Sequence, residues 1–125
     1  MNIIKLPTLI LTFLFLLVGS SVVFGDDFQD GVDAYQKKDH KEAVKWYRLA
    51  AEQWIAQAQF NLGVMYDKGQ GVPQDKLFAH MWWDLAGSKG NKNAIKNRNI
   101  IVKKMSPSQI EKAQEMARNW KPTTK

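Results

Sequence analysis

A shift of 36 residues lays one part of this chain over another. It superposes Ala43, Trp46, Tyr47, Leu49, Ala50 and Ala58 on Ala79, Trp82, Trp83, Leu85, Ala86 and Ala94. Aromatic falls on aromatic and small on small. Within each copy the positions follow i, i+3, i+4, i+7 (43, 46, 47, 50 and 79, 82, 83, 86), which lines one face of an α-helix. A unit this short cannot bury its apolar face alone, so its copies must stack. The repeat therefore limits the chain to an all-α stack of helix pairs.

Each repeated helix is preceded by another helical stretch, Phe28 to Lys37 in the first copy and Ala56 to Lys68 in the second. The second pair is joined by Gly69-Gln70-Gly71-Val72-Pro73-Gln74, in which glycine permits positive φ and proline fixes φ and removes a donor. Asp75 then stands where a cap is needed. The first copy joins its helices more tightly. After the second copy, Asn91 or Asn93 caps a further helix expected to run through Met105. Ser106-Pro107-Ser108-Gln109 then starts a last one with a capping serine, proline at the first helical position and glutamine three residues after the cap. Ile110, Ala113, Met116, Ala117 and Trp120 give that helix its apolar stripe. Six helices are predicted.

The stretches Ala50-Ala51-Glu52-Gln53, Ala56-Gln57-Ala58-Gln59-Phe60-Asn61-Leu62-Gly63-Val64-Met65-Tyr66 and Gly69-Gln70-Gly71-Val72-Pro73-Gln74-Asp75 resemble the Sel1-like repeat, a relative of the tetratricopeptide repeat. The resemblance covers roughly residues 28–96. It implies a short α-solenoid of antiparallel helix pairs used as an adaptor for protein complexes. On this reading residues 1–25 form a signal segment, 26–55 a degenerate first repeat, 56–91 a second repeat, and 92–125 a C-terminal pair of helices. That pair either caps the stack or leaves a stripe that holds two copies of the protein together as a weak homodimer.

The first copy departs from the pattern. Its first helix keeps only Gly31 and Tyr35 of the motif, and Trp54 stands where the second copy has Gly90. Glycine at that place closes a helix by turning left-handed, which tryptophan does only at a cost. The bend at 53–56 is therefore expected to be remodelled, with the indole either packed or exposed as a contact.

The N-terminus reads as an export signal: Lys5 followed by an almost wholly apolar run from Leu6 to Val18, then Val23 and Gly25 before an abruptly polar stretch. Cleavage before Asp26 sends the protein to the periplasm or outside the cell; a retained membrane anchor is the alternative. The chain has no cysteine, which removes thiolate catalysis, disulfides and acylation at a cysteine after the signal. Loss of the segment takes one lysine and no carboxylate from 18 basic and 12 acidic side chains, so the remainder stays basic.

Nothing in the sequence points to catalysis. His80 and Asp84, four apart on a helix, read as a surface hydrogen-bonded pair rather than half a metal site. Gly69-Gln70-Gly71 has no following Gly-Lys-Ser/Thr and reads as a joint. No cofactor is implied. Lys92, Lys96, Arg98, Lys103 and Lys104 make one helix basic, but export argues against nucleic acid. The expected partner is another protein or an extended peptide held in a groove of the inner helices. Tyr47, Trp54, Asn61, Tyr66 and Trp83 are the candidate contacts. The same aromatics could instead stack on cell-wall glycan, or serve wholly as packing between repeats.

Overall fold

The computed structural model describes residues 27–123, so the N-terminal segment assigned to export lies outside the described residues. Among those residues the structure is all-helical. Helix α1 covers 27–36. It is followed by α2 (His40–Glu52), α3 (Ala56–Lys68), α4 (Lys76–Ser88), α5 (Lys92–Ile101) and α6 (Pro107–Asn119). The expected end of α5 shifts: the α-helix stops at Ile101, and Val102–Lys104 tighten into a 3-10 turn before Met105.

The caps form where the sequence places them. Asp75 Oδ1 accepts from the backbone N–H groups of Leu77 and Phe78, and Asn91 Oδ1 accepts from that of Ala94. Ser106 and Gln109 complete a reciprocal capping box, with Pro107 in the first turn. These bonds satisfy N–H groups that a helix start otherwise leaves without partners.

Each pair closes through a left-handed residue, and here the copies differ. The second uses Gly69 (φ 69°) and Gly90 (φ 93°); the first uses Lys38 (φ 61°) and Trp54 (φ 63°). The bend at 53–56 is therefore not remodelled. Ile55 N–H donates to Ala50 O and Trp54 N–H to Ala51 O, as Asn91 N–H donates to Ala86 O and Gly90 N–H to Gly87 O. A side chain in that conformation costs roughly 1–2 kcal/mol. The indole offsets part of this. It meets the Trp120 ring edge-on at 4.9 Å between centroids, with Lys89 Nζ 4.9 Å from its own centre. Trp54→Gly is accordingly expected to be more stable than Trp54→Ala by about 1 kcal/mol, since both lose the ring but only glycine loses the strain. Urea unfolding of the two variants checks the order, and alanine above glycine would contradict it.

Helix α4 sits at the centre, packed on α3, α5 and α6, while α2 packs on α3. Fully buried Ala43, Ala50, Ala79 and Ala86 let the helices approach closely. The glycines of the first helices seat the aromatics of the second. A Cβ on Gly31 would lie 2.5 Å from the Tyr47 ring, and one on Gly63 would lie 2.3 Å from Trp83 Nε1. The α6 end folds back over the stack. Trp120 packs against Trp82 at 5.4 Å, and the Glu52 carboxylate accepts bonds from the Thr123 backbone N–H and hydroxyl.

Candidate functional site

Three of the four repeated aromatics, Tyr47, Trp82 and Trp83, are committed to packing, while Trp46 stays partly exposed on α2 with its Nε1 donating to Glu42 Oε1 at 3.0 Å. Tyr47 is 3 % exposed and Trp83 2 %, which corrects the expectation that they stand on the inner surface as contacts. Trp83 lies over Gly63 and donates from Nε1 to Phe60 O at 3.2 Å. Tyr47 packs on Phe28 with ring centroids 5.8 Å apart. Burial pushes the Tyr47 hydroxyl above its usual range, the Tyr35 hydroxyl adds to this, and a hydrogen bond to Asn61 opposes both. Tyr66 is buried too, stacked on Phe78, with its hydroxyl accepting from Arg48 Nη2 at 3.0 Å. The candidates with substantial accessible surface are Trp54, 42 % exposed, and the partly exposed Asn61. They do not come together: Trp54 lies at the α2–α3 bend with the chain's C-terminal end, and Asn61 faces a hollow on the first helices.

Two hollows flank α3. One of about 200 Å³, between α1 and α3, is lined by Tyr35, Phe60, Asn61, Val64 and Met65, with Tyr47 at its base. The other, of about 110 Å³, lies between α3 and α5 and is lined by Asp67, Asn97, Ile100 and Lys104 over Trp83 and Ile101. Both lie along the first helices of the pairs, and their lining, the trough, mixes apolar side chains with amides and charges. Ile100 is 48 % exposed there. Of the sequence candidates, Asn61, Tyr47 and Trp83 line these hollows, the last two from beneath; Tyr35, Phe60, Val64, Asn97, Ile100 and Lys104 were not among the candidates. The signal was available in the 36-residue shift, which carries Asn61 to Asn97 and Val64 to Ile100. The large aromatics of the second helices drew attention away from it.

His80 is not at the surface. It is 1 % exposed, and its Nδ1 lies 3.4 Å from Asp84 Oδ2 without hydrogen-bond geometry. The other Asp84 oxygen accepts from Arg98 Nη1 at 2.8 Å. Burial lowers the His80 pKa from its ordinary 6.5; the Asp84 charge opposes this and Arg98 reinforces it. A folded value below the unfolded one means the unfolded chain takes up the proton first. The stabilisation from a neutral His80 is therefore complete above 6.5 and is lost as pH falls through the folded value. Urea midpoints taken from about pH 7.5 to about pH 5 should fall more steeply for the wild type than for His80→Gln. Parallel slopes would contradict the burial of a neutral imidazole.

A family model described as Sel1 repeat matches residues 28–53 and 56–91. Among characterised proteins, the chain is 34 % identical over 65 residues to the chitin synthase regulator SKT5 of Saccharomyces cerevisiae, covering 52 % of this chain and 9 % of that one. It is 43 % identical over 51 residues to protein sel-1 homolog 2 of Rattus norvegicus, covering 40 % and 7 %. It is 35 % identical over 65 residues to the ERAD-associated E3 ubiquitin-protein ligase component HRD3 of Candida glabrata, covering 52 % and 7 %. The chain thus spans less than a tenth of the length of each of these relatives. Among solved structures it is similar to c5321, a protective antigen of uropathogenic Escherichia coli with an SLR fold. The TM-score is 0.71 at 35 % identity, covering 73 % of this chain and 21 % of that one.

Proposed function

Because this chain belongs to the Sel1-repeat family, we propose that it is a non-catalytic docking module that holds a segment of another protein in the trough along α1, α3 and α5. One observation carries the reading. The repeat buries Tyr47, Trp82 and Trp83 in the core, yet leaves apolar Phe60, Val64 and Ile100 partly or largely uncovered beside amides on the first helices. Apolar anchors with polar groups that fix orientation are the composition of a protein-binding surface. The names of the relatives, a regulator and a ligase component, are those of proteins that act on or within larger assemblies, which supports the same reading here. A glycan-stacking module needs several exposed ring faces, and of its candidate aromatics Tyr47, Tyr66 and Trp83 are buried, which leaves Trp54 alone, edge-on to Trp120.

We further propose that the module works outside the cytoplasm after cleavage before Asp26, a reading supported by Lys5 and the apolar run from Leu6 to Val18, the layout of an export signal. N-terminal sequencing of the protein from the cells that make it should begin at Asp26; an intact N-terminus held in the membrane fraction would establish the anchor instead. Docking is tested by a photo-crosslinking residue introduced at Asn61 or Ile100 in the trough, and at exposed Glu115 on α6, in the same cells. Discrete protein adducts from the first two positions and none from the third are expected. Equal labelling at all three would remove the trough from consideration.

A further inference from the structure

Four partly or fully exposed side chains of α3 have like counterparts 36 residues further on. Moving along the chain by 36 residues takes Gln57 to Asn93, Asn61 to Asn97, Val64 to Ile100 and Lys68 to Lys104. On α3 these fall at i, i+4, i+7 and i+11, a single stripe; on α5 the first three keep that spacing and Lys104 follows in the 3-10 turn beside the same hollow, and all eight are partly or fully exposed. Buried repeats follow from stacking, because each helix must fit its neighbour. Exposed repeats have no such cause.

Resting on the docking reading above, we infer that this double stripe binds an extended peptide that carries an apolar side chain followed by carboxylates. An unpaired peptide backbone presents both donors and acceptors, and a primary amide side chain matches both. The first stripe is already ordered for this, since Gln57 Nε2 donates to Asn61 Oδ1 at 3.0 Å and Asn61 lines the larger hollow. Val64 and Ile100 supply the apolar seats.

Charge gives the sign of the rest. From Ser88 to Ile110 there is no carboxylate, while Lys89, Lys92, Lys96, Arg98, Lys103 and Lys104 fall in that stretch. Arg98 is held by Asp84, and neither Lys68 nor Lys104 takes part in an ion pair among the described residues. Asp67, beside the second hollow, is the carboxylate that opposes them. The α5 end of the stripe is therefore its basic end, so the carboxylates of the peptide lie there.

The test uses the full chain and synthetic fluorescein-labelled peptide pools of one length, each with a central Leu or Phe flanked by Asp/Glu, by Lys/Arg or by Ser/Gly, followed by fluorescence anisotropy. The acidic pool is expected to bind best. Asn61→Ala and Asn97→Ala should each weaken it about tenfold, the loss of one hydrogen-bonding group to a bound ligand. Lys68→Glu with Lys104→Glu should reverse the preference toward the basic pool, and unchanged circular dichroism shows that these exposed changes leave the fold intact. Preference for the basic pool in the wild type overturns the assignment. So does acidic-pool binding that ignores all four substitutions, although that result leaves protein docking elsewhere on the module standing. Binding of none of the pools, with self-association or retention on purified peptidoglycan that the same substitutions abolish, overturns both readings.

Discussion

Trp83→Ala is expected to lose roughly 3–5 kcal/mol of folding stability, the cost of emptying a large buried aromatic site. The indole is 2 % exposed, lies against the bare backbone of Gly63, and spends its N–H on Phe60 O. Removing it opens a cavity between α3 and α4. It also takes a partner from the Phe60 carbonyl, although one that already serves its own helix. A domain of this size has about 5–15 kcal/mol in total, so the variant should lie near the edge of folding at room temperature. Urea unfolding followed by circular dichroism reads the loss directly. A change under about 1 kcal/mol would mean that the indole is at a surface after all.

The same contact predicts a non-additive pair. Gly63→Ala alone forces a Cβ to within 2.3 Å of Trp83 Nε1, so the indole must shift. Overpacking of this kind costs about 1–3 kcal/mol. In the Trp83→Ala background the new methyl enters the cavity instead. The second substitution should then be close to neutral, a coupling of about 1–3 kcal/mol between the two sites. Additive losses would show that glycine is needed at 63 for a reason other than the ring above it.

This seat explains why the fold was legible in the sequence and much of the candidate site was not. The helix pairs, the caps at Asp75, Asn91 and Ser106, and the joint at 69–74 depend on local chemistry, which reads out over a few residues. The 36-residue shift also located the core aromatics. What it did not decide was which side of the helix pair they face. That was settled by Gly31 and Gly63 on the preceding helices, whose missing side chains make room for Tyr47 and Trp83. Aromatics read as contacts were thus drawn inward by residues in another helix. The same nonlocality buried His80, which local spacing with Asp84 had placed at the surface. At Trp54 the local rule was right about cost and wrong about outcome. Closure of the helix and contact with Trp120, a partner 66 positions along the chain, together outweigh the strain of a left-handed tryptophan.

Gly71→Ala should be the most damaging of the single-methyl additions at left-handed glycines. Gly71 has φ 72°, and a Cβ there would lie 2.4 Å from His40 O, 2.5 Å from His40 C and 2.9 Å from Lys41 N. All three are backbone atoms, so no rotamer change relieves the overlap, and the α3–α4 loop must lift off the start of α2. Conformational strain and displacement together should cost roughly 2–4 kcal/mol. Gly90→Ala is the control. It has φ 93° and nothing within 4 Å of its Cβ, so it should cost only about 1 kcal/mol. Equal losses at the two sites would mean that conformation, not contact, sets the requirement at 71. The loop's position also reaches the trough. Gln70 Oε1 accepts a bond from the Tyr35 hydroxyl at 3.1 Å, and Tyr35 lines the larger hollow. Lifting residue 71 pulls on that bond and on the spacing between α1 and α3. At a urea concentration where Gly71→Ala remains folded, it should therefore bind the acidic peptide pool more weakly than Gly90→Ala does. Two variants with one methyl added to each, neither on the stripe, would then separate the shape of the trough from its chemistry.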